Sequence, residues 1–269
     1  MKLTILGSGT SQGVPIIGCG CAVCRSTDSR NMRLRTSAMV ELTADNGEAM
    51  RIVIDAGPDF RQQMLRAGVR EVDAILITHG HKDHTGGLDD TRALTFVDYP
   101  TIRRIQLYST AGTLESIKKD YSYIFAENKY KGVPELDSHI FELGSTFTVA
   151  SEDGTKQTMV NSIKGFHAPG VEVSGFRFGK LAYITDFKSI AEEDIAALEG
   201  VEVMVVGALR RESHHSHFSV DDALALIAKV GAKRAYLTHI SHDLGLIDDA
   251  NATLPAGVEL AYDGLTIEI

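Results

Sequence analysis

His79-Gly80-His81-Lys82-Asp83-His84 places four side chains able to ligate a metal within six residues, directly after an apolar run at 72–77. A strand built from Ala74, Ile75, Leu76 and Ile77 would end at Thr78, which sets the ligands on a tight loop at a rigid strand end. Gly86 and Gly87 then let the backbone turn into the next segment. Two imidazoles two residues apart can close on one ion. The Asp-His pair after them can reach a second ion about 3.5–4 Å away, the spacing of two-metal sites. A single His-rich tract can also bind metal adventitiously, so a complete site requires ligands from elsewhere in the chain.

Those ligands recur in the same local context, an apolar strand closed by Thr and then a donor. Ile75-Leu76-Ile77-Thr78-His79 is echoed by Ala182-Tyr183-Ile184-Thr185-Asp186 and by Ala235-Tyr236-Leu237-Thr238-His239. A fourth segment, Ser162-Ile163-Lys164-Gly165-Phe166-His167-Ala168-Pro169-Gly170, ends a short apolar stretch at His167, with Pro and Gly forcing a turn. Donors at strand ends are what an α/β sandwich with a site at one edge of its sheets would present.

The order His-x-His-x-Asp-His, then an isolated His, then Asp after a strand, then a late Thr-His resembles the metallo-β-lactamase superfamily. The resemblance implies an α/β fold, an αββα sandwich with a dinuclear metal site at the sheet edge. It implies that His79, His81 and His167 form a first metal site and Asp83, His84 and His239 a second, with Asp186 as the bridging carboxylate. Asp83 and Asp186 are thereby also candidate catalytic residues. An Asp bridge is typical of the hydrolase and phosphodiesterase branches.

All three cysteines fall in Cys19-Gly20-Cys21-Ala22-Val23-Cys24. An odd count argues against a closed disulfide framework. Three thiolates on so short a loop can wrap one zinc, which then wants a fourth ligand. His242, three residues after His239 in Thr238-His239-Ile240-Ser241-His242, is the best candidate; three reduced thiols are the alternative. With this cluster the match narrows. The Gly-Cys-x-Cys-x-x-Cys loop, the late Thr-His-Ile-Ser-His and the closing Leu254-Pro255-Ala256-Gly257 and Tyr262-Asp263-Gly264-Leu265-Thr266-Ile267 resemble the PhnP-type phosphoribosyl cyclic phosphate phosphodiesterase family. The similarity runs from about Lys2 to Ile269 and weakens between about Thr91 and Leu143.

Ser213-His214-His215-Ser216-His217-Phe218-Ser219 lies just ahead of an expected helix N-terminus, and His217 resembles the non-ligand catalytic His of the phosphodiesterase branch. A leaving alkoxide is a strong base that an imidazole within hydrogen-bond reach can serve. Asp55 is a candidate for orienting a ligand imidazole. Arg210 and Arg211 are candidates for phosphate contact or plain surface charges, and His214 and His215 for solvated or outer groups. Gly7-Ser8-Gly9-Thr10-Ser11-Gln12-Gly13 fails the dinucleotide fingerprint, because its third glycine position holds Gln12, and no Gly-Lys-Ser/Thr follows. A tight turn packed near the metal site is the better reading.

The chain has 269 residues, 43% of them hydrophobic, enough for a full core, and is read as one domain over 1–269. Strands are expected at 2–6, 38–42, 51–55, 180–185, 202–206 and 234–239. Helices are expected at 58–67 before Gly68, at 192–198, and from Val220 to Val230 with Ser219 as N-cap and Gly231 closing it. No apolar run approaches the ~20 residues of a membrane span and the opening strand is too short for a signal peptide, so no membrane partner and a cytoplasmic location are expected. A net charge of −9 argues for a small substrate over nucleic acid. Residues 98–142 hold Arg103, Arg104, Lys118, Lys119, Lys129 and Lys131 among tyrosines and are expected to form a flap or dimer contact.

The reading is a metal-dependent hydrolase that cleaves a phosphodiester, a small cyclic phosphate such as phosphoribosyl cyclic phosphate, by a hydroxide held between two divalent metals with His217 assisting the leaving group. The active-site pair would be Mn, Zn or Fe, with manganese activation implied by the resemblance, and one structural Zn would sit on the cysteines. The family implies a homodimer. The alternatives are a tRNA-maturing type nuclease, an acyl hydrolase (thioesterase or lactonase), and a non-catalytic zinc module.

Overall fold

In the computed structural model, which describes residues 1–44 and 46–269, the strands form two seven-stranded sheets. The first sheet takes β1 (Lys2–Gly7), β2 (Ser37–Thr43), β3 (Ala49–Ile54), β4 (Ala74–Leu76), β5 (Ile105–Ser109) and β6 (Leu136–Ile140). The second takes β7 (Thr146–Ala150), β8 (Gln157–Ala168), β9 (Val171–Phe178), β10 (Leu181–Ile184), β11 (Val203–Gly207), β12 (Arg234–Thr238) and β13 (Val258–Leu260). β14 (Thr266–Glu268) returns to the first sheet and pairs antiparallel with β1.

Strand alternation decides the layers. Ile52, Ile54, Ala74 and Leu76 pack against Leu181, Tyr183, Val203 and Val205 in the space between the sheets. Their neighbours Val53 and Ile75 face outward onto Phe60, Met64 and Ile117, and Ala182, Ile184, Met204 and Val206 face outward onto Ala223, Leu226 and Ile227. Strands covered on both faces must be apolar throughout, which is why these segments read as continuous hydrophobic runs rather than alternating ones. Helices outside two face-to-face sheets make the expected αββα sandwich.

β3, β4, β5 and β6 run parallel to one another, as do β10, β11, β12 and β13. In-register pairs such as Ile54↔Leu76, Ile184↔Val206 and Gly207↔Thr238 bring the carboxyl ends of these strands level. Ligands of open α/β sheets gather at such ends.

The expected strands stop one residue early where a functional side chain follows. β3 ends before Asp55, β10 before Thr185-Asp186 and β12 before His239, and Asp55, Asp186 and His239 have left-handed backbones with φ of 63°, 61° and 56°. That conformation breaks the ladder. It is sparsely populated by non-glycine residues and persists only where surrounding contacts hold it. The first long helix starts at Phe60 rather than at 58, because Asp59 accepts from the Arg35 backbone N–H at 2.8 Å and makes no side-chain cap bond. The expected helix at 192–198 closes as Glu192–Ala196. The Val220–Val230 helix has the expected Ser219 cap, completed as a capping box by Asp222, and ends at Gly231 in the left-handed region. Residues 98–142 supply β5, β6 and the Ala111–Asp120 helix between them.

Candidate metal centre

The His79–His84 loop leaves β4 and folds back over the start of the segment after β3. Gly57 makes this approach possible, since a Cβ there would stand 2.0 Å from the Asp83 carbonyl oxygen. Gly87 is equally confined, its Cβ position lying 2.0 Å from the Gly57 carbonyl. His79, His81 and His167 come together as one donor group, Asp83, His84 and His239 as another, and Asp186 joins His79 and His84. The two carboxylate oxygens of Asp186 face different imidazoles, Oδ1 at 3.1 Å from His239 Nε2 and Oδ2 at 3.3 Å from His84 Nε2. Asp83 Oδ2 is 3.3 Å from His84 Nε2 and 3.8 Å from His239 Nε2.

These spacings fit donors arranged about a cation. Ligands at about 2.0–2.1 Å in a tetrahedron stand about 3.3 Å from one another. The imidazole nitrogens are otherwise unexplained: His79 Nε2, His84 Nε2 and both His239 ring nitrogens are buried without a hydrogen-bond partner. An orphaned buried nitrogen is costly, and ions taken by Nε2 of His79, His84 and His239 would remove that cost at those three atoms. The donor set therefore fits a pair of divalent ions.

The protonation states point the same way. Burial drives His79 well below the usual imidazole range, into the neutral form that binds metal. Burial works against ionising Asp83 and Asp186, yet the surrounding imidazoles hold both well below the usual carboxylate range. Burial also opposes a charge on His84, but Asp186 and Asp55 outweigh it and raise that imidazole. A cation arriving between these carboxylates would displace its proton.

The threonines before the donors act as braces. Thr78 Oγ1 donates to Asp55 Oδ2 at 2.9 Å and its N–H to Oδ1 at 2.8 Å, while Asp55 Oδ2 takes His84 Nδ1 at 2.7 Å. This turns His84 Nε2 to the centre. Thr185 Oγ1 donates to Asp186 Oδ2 at 2.7 Å, and Thr238 is held through Thr36, which also meets the buried Tyr183 hydroxyl at 3.1 Å. The repeated Thr was visible in the chain as a pattern, but its partners were not.

His217 stands at the rim, with Nδ1 at 3.5 Å from Asp186 Oδ1 and its ring 4.5 Å from that of His167 and 4.7 Å from that of His239. Burial first, and then the neighbouring His239, lower it to about 3, so it is neutral at pH 7. His214 bonds Ser216 within its own turn, Arg210 donates to the Ser213 carbonyl, and Arg211 donates to Thr253. None of these three belongs to the donor groups. The Gly7–Gly13 loop does lie beside the centre: Thr10 N–H donates to the Ile240 carbonyl and Ile240 N–H to that of Ser8.

Cys19, Cys21, Cys24 and His242 form a separate tetrad. The three sulfurs are 3.3, 3.4 and 3.5 Å from His242 Nδ1, near the roughly 3.5 Å edge of a tetrahedron with Zn–S of about 2.3 Å and Zn–N of about 2.0 Å. A bond from the Cys24 backbone N–H, helped by His242 and opposed by burial, brings the Cys21 thiol down to about 6, whereas burial pushes Cys24 up to about 11. Four protein donors would close the sphere around a structural zinc.

Beside His79 and His81 opens a cleft of about 770 Å³, bounded by the first turn of the Ala111–Asp120 helix and by the β8–β9 hairpin. Its lining includes His79 and His81, but no signal in the sequence marked Ser116, Phe141, Glu142 or Glu172 as facing the same space. Among the described residues no helix is long and apolar enough to cross a membrane.

Residues 50–240 match the family model described as beta-lactamase superfamily domain. A protein of Porphyromonas gingivalis named octanoyltransferase is 37% identical over 98% of this chain, which spans only 51% of its length. Coenzyme PQQ synthesis protein B of Methylobacterium radiotolerans is 25% identical, with 100% of each chain covered. Among solved structures, a diphosphatase of the PhnP family superposes with a TM-score of 0.86 at 39% identity, covering 100% of this chain and 97% of that one. Identity at that level, carried across nearly the whole of both chains, goes beyond a shared fold, and this chain belongs to the metallo-β-lactamase superfamily, in its PhnP-like branch.

Proposed function

We propose that this chain is a hydrolase of phosphoric diesters, acting on a small cyclic phosphate with two divalent ions held by His79, His81, Asp83, His84, His167, Asp186 and His239. Ions bound there would supply Lewis acidity toward the phosphoryl oxygens and an activated water at neutral pH. The protein's own part is to orient the donors, exclude bulk water and manage the leaving oxygen.

The observation that carries the reading is His217, an imidazole outside the His79-His81-His167 and Asp83-His84-His239 triads that groups instead with His167 and Asp186, 3.5 Å from the shared carboxylate of Asp186. As the P–O ester bond breaks, charge develops on the departing alkoxide. A neutral imidazole still carries one N–H, which can donate to that oxygen and stabilise it. Acyl chemistry with a good leaving group has no such need. The diphosphatase likeness supports phosphorus chemistry. The octanoyltransferase name belongs to a protein about twice as long, so it weighs less. RNA as substrate is disfavoured by the net charge of −9 and by the ion pairing of Arg103, Arg104 and Lys129 with acids of their own surface.

A panel of cyclic phosphates, linear diesters, RNA, octanoyl and other thioesters, and lactones, each tried with Mn, Zn and Fe, tests this. Turnover of a small cyclic or linear diester well above all esters is expected. Turnover confined to thioesters or lactones would overturn it.

A further inference from the structure

Arg33 is only 1% exposed. Its Nη1 donates to the Ser241 carbonyl at 3.2 Å, while Nε and Nη2 are buried without a hydrogen-bond partner among the described residues. Neither nitrogen reaches solvent, so water or a diffusing anion does not meet them. A guanidinium held in that state is strongly destabilising unless a fixed negative charge stands close by.

Burial pulls this guanidinium down to about 10, while Asp263 first and Cys24 second hold it up, so it stays cationic at pH 7. Asp263 is already taken. Its Oδ1 accepts from the Ser8 N–H and Oγ at 2.8 Å each, and its Oδ2 from the Leu34 N–H at 2.9 Å and from Arg66 Nη1, a cation of its own, at 3.1 Å. The cysteines are the anion that remains. Arg33 exchanges both backbone hydrogen bonds with Val14, at 2.8 and 2.7 Å, and so closes the neck of the loop that carries Cys19, Cys21 and Cys24. Its side chain then reaches Ser241, the residue before His242. The guanidinium thus joins the two segments that build the tetrad. Three thiolates and a neutral imidazole on a zinc dication leave one excess negative charge, which a buried cation offsets.

Resting on the reading of Cys19, Cys21, Cys24 and His242 as a zinc site, we infer that Arg33 is the counter-charge of that site and the positioning residue that ties the cysteine loop to the Ser241-His242 turn. Ser241 also stands two residues after His239, so the same side chain links the zinc to the turn that carries an active-site donor.

Cobalt substituted into the whole chain reports on this site apart from the imidazole-rich centre, because only the cysteines give thiolate-to-cobalt charge-transfer bands. Titrated against a chelator, Arg33→Met is expected to hold that ion about tenfold or more weakly, the loss typical of partners just outside a metal's ligands, and to shift the bands. Arg33→Gln, neutral but polar, makes the same comparison if Arg33→Met does not fold. Arg33→Lys restores the charge without the fork, so it should bind more tightly than either neutral variant and return the bands toward those of the parent. Neutral variants within about threefold of the parent, with bands unmoved, would overturn the inference. So would a lysine variant as weak as the neutral ones, which would make Arg33 no more than a prop for the Ser241 carbonyl. Absence of the bands from the parent itself would remove the zinc reading and the counter-charge together, whereas bands present but indifferent to Arg33 would sink the counter-charge alone.

Discussion

Asp55→Asn is the most searching perturbation of the centre, because it changes one atom and leaves shape and backbone alone. Asn tolerates the left-handed conformation that Asp55 adopts at φ 63°. Yet no orientation of its amide satisfies the site. The carboxylate is fully buried and accepts from Thr78 N–H on Oδ1, at 2.8 Å, and from Thr78 Oγ1 and His84 Nδ1 on Oδ2, at 2.9 and 2.7 Å. If the new NH2 replaces Oδ1, it meets the Thr78 N–H donor to donor. If it replaces Oδ2, it faces His84 and favours the tautomer with its proton on Nε2, the nitrogen that would bind metal. Either choice leaves a buried polar group unmet, at about 1–3 kcal/mol. Partners of ligand imidazoles typically contribute 10–100-fold in metal affinity, about 1.4–2.7 kcal/mol, and the two ranges agree. Competition with a chelator should therefore show one active-site ion bound roughly 10–100-fold more weakly, with the cysteine-bound zinc retained. An affinity within about threefold of the parent would refute the idea that Asp55 sets the His84 tautomer.

Asp186→Ala should empty both active-site positions and abolish turnover, as read by metal analysis and rate on one preparation; two retained equivalents with normal activity would refute the bridging role. Because the left-handed backbone costs about 1–2 kcal/mol for Ala, its melting should be measured alongside. His217→Ala should lower kcat by roughly 10²–10⁴-fold on an alkyl diester while metal stays bound, and by much less on a nitrophenyl diester. Equal losses on both substrates would point to positioning instead. Cys21→Ser should release one zinc and lower the melting temperature while activity persists at low temperature. In zinc-stripped protein at pH 7, Cys21 at about 6 is largely thiolate and Cys24 at about 11 largely thiol, so iodoacetamide should label Cys21 first and zinc should protect it. Labelling led by Cys24, or unaffected by zinc, would contradict this.

Much of this molecule was legible in its sequence because the informative features are local. Runs such as Ala74 to Ile77 and Ala182 to Ile184 are short, apolar and closed by Thr before a donor, and a strand buried on both faces has no other way to be written. Capping signals are local as well, so Ser219, Gly231 and Gly68 marked helix ends that the structure has. The kinds of donor and their order along the chain were likewise there to be read, including Cys19, Cys21 and Cys24 on one loop.

The tertiary structure alone decided everything that depends on distance across the chain. Asp55 meets His84, 29 positions later, and the three cysteines meet His242 more than two hundred positions away, only because in-register parallel strands end level and the two sheets share one apolar layer. The left-handed turns at Asp55, Asp186 and His239 have no sequence signature, since Asp and His occur in every backbone region; the fold holds them there against their own preference. The cleft is of the same kind. Phe141, Glu142, Lys164 and Glu172 form no motif, and they line one space only once β8, β9 and the segment after β6 are folded around it.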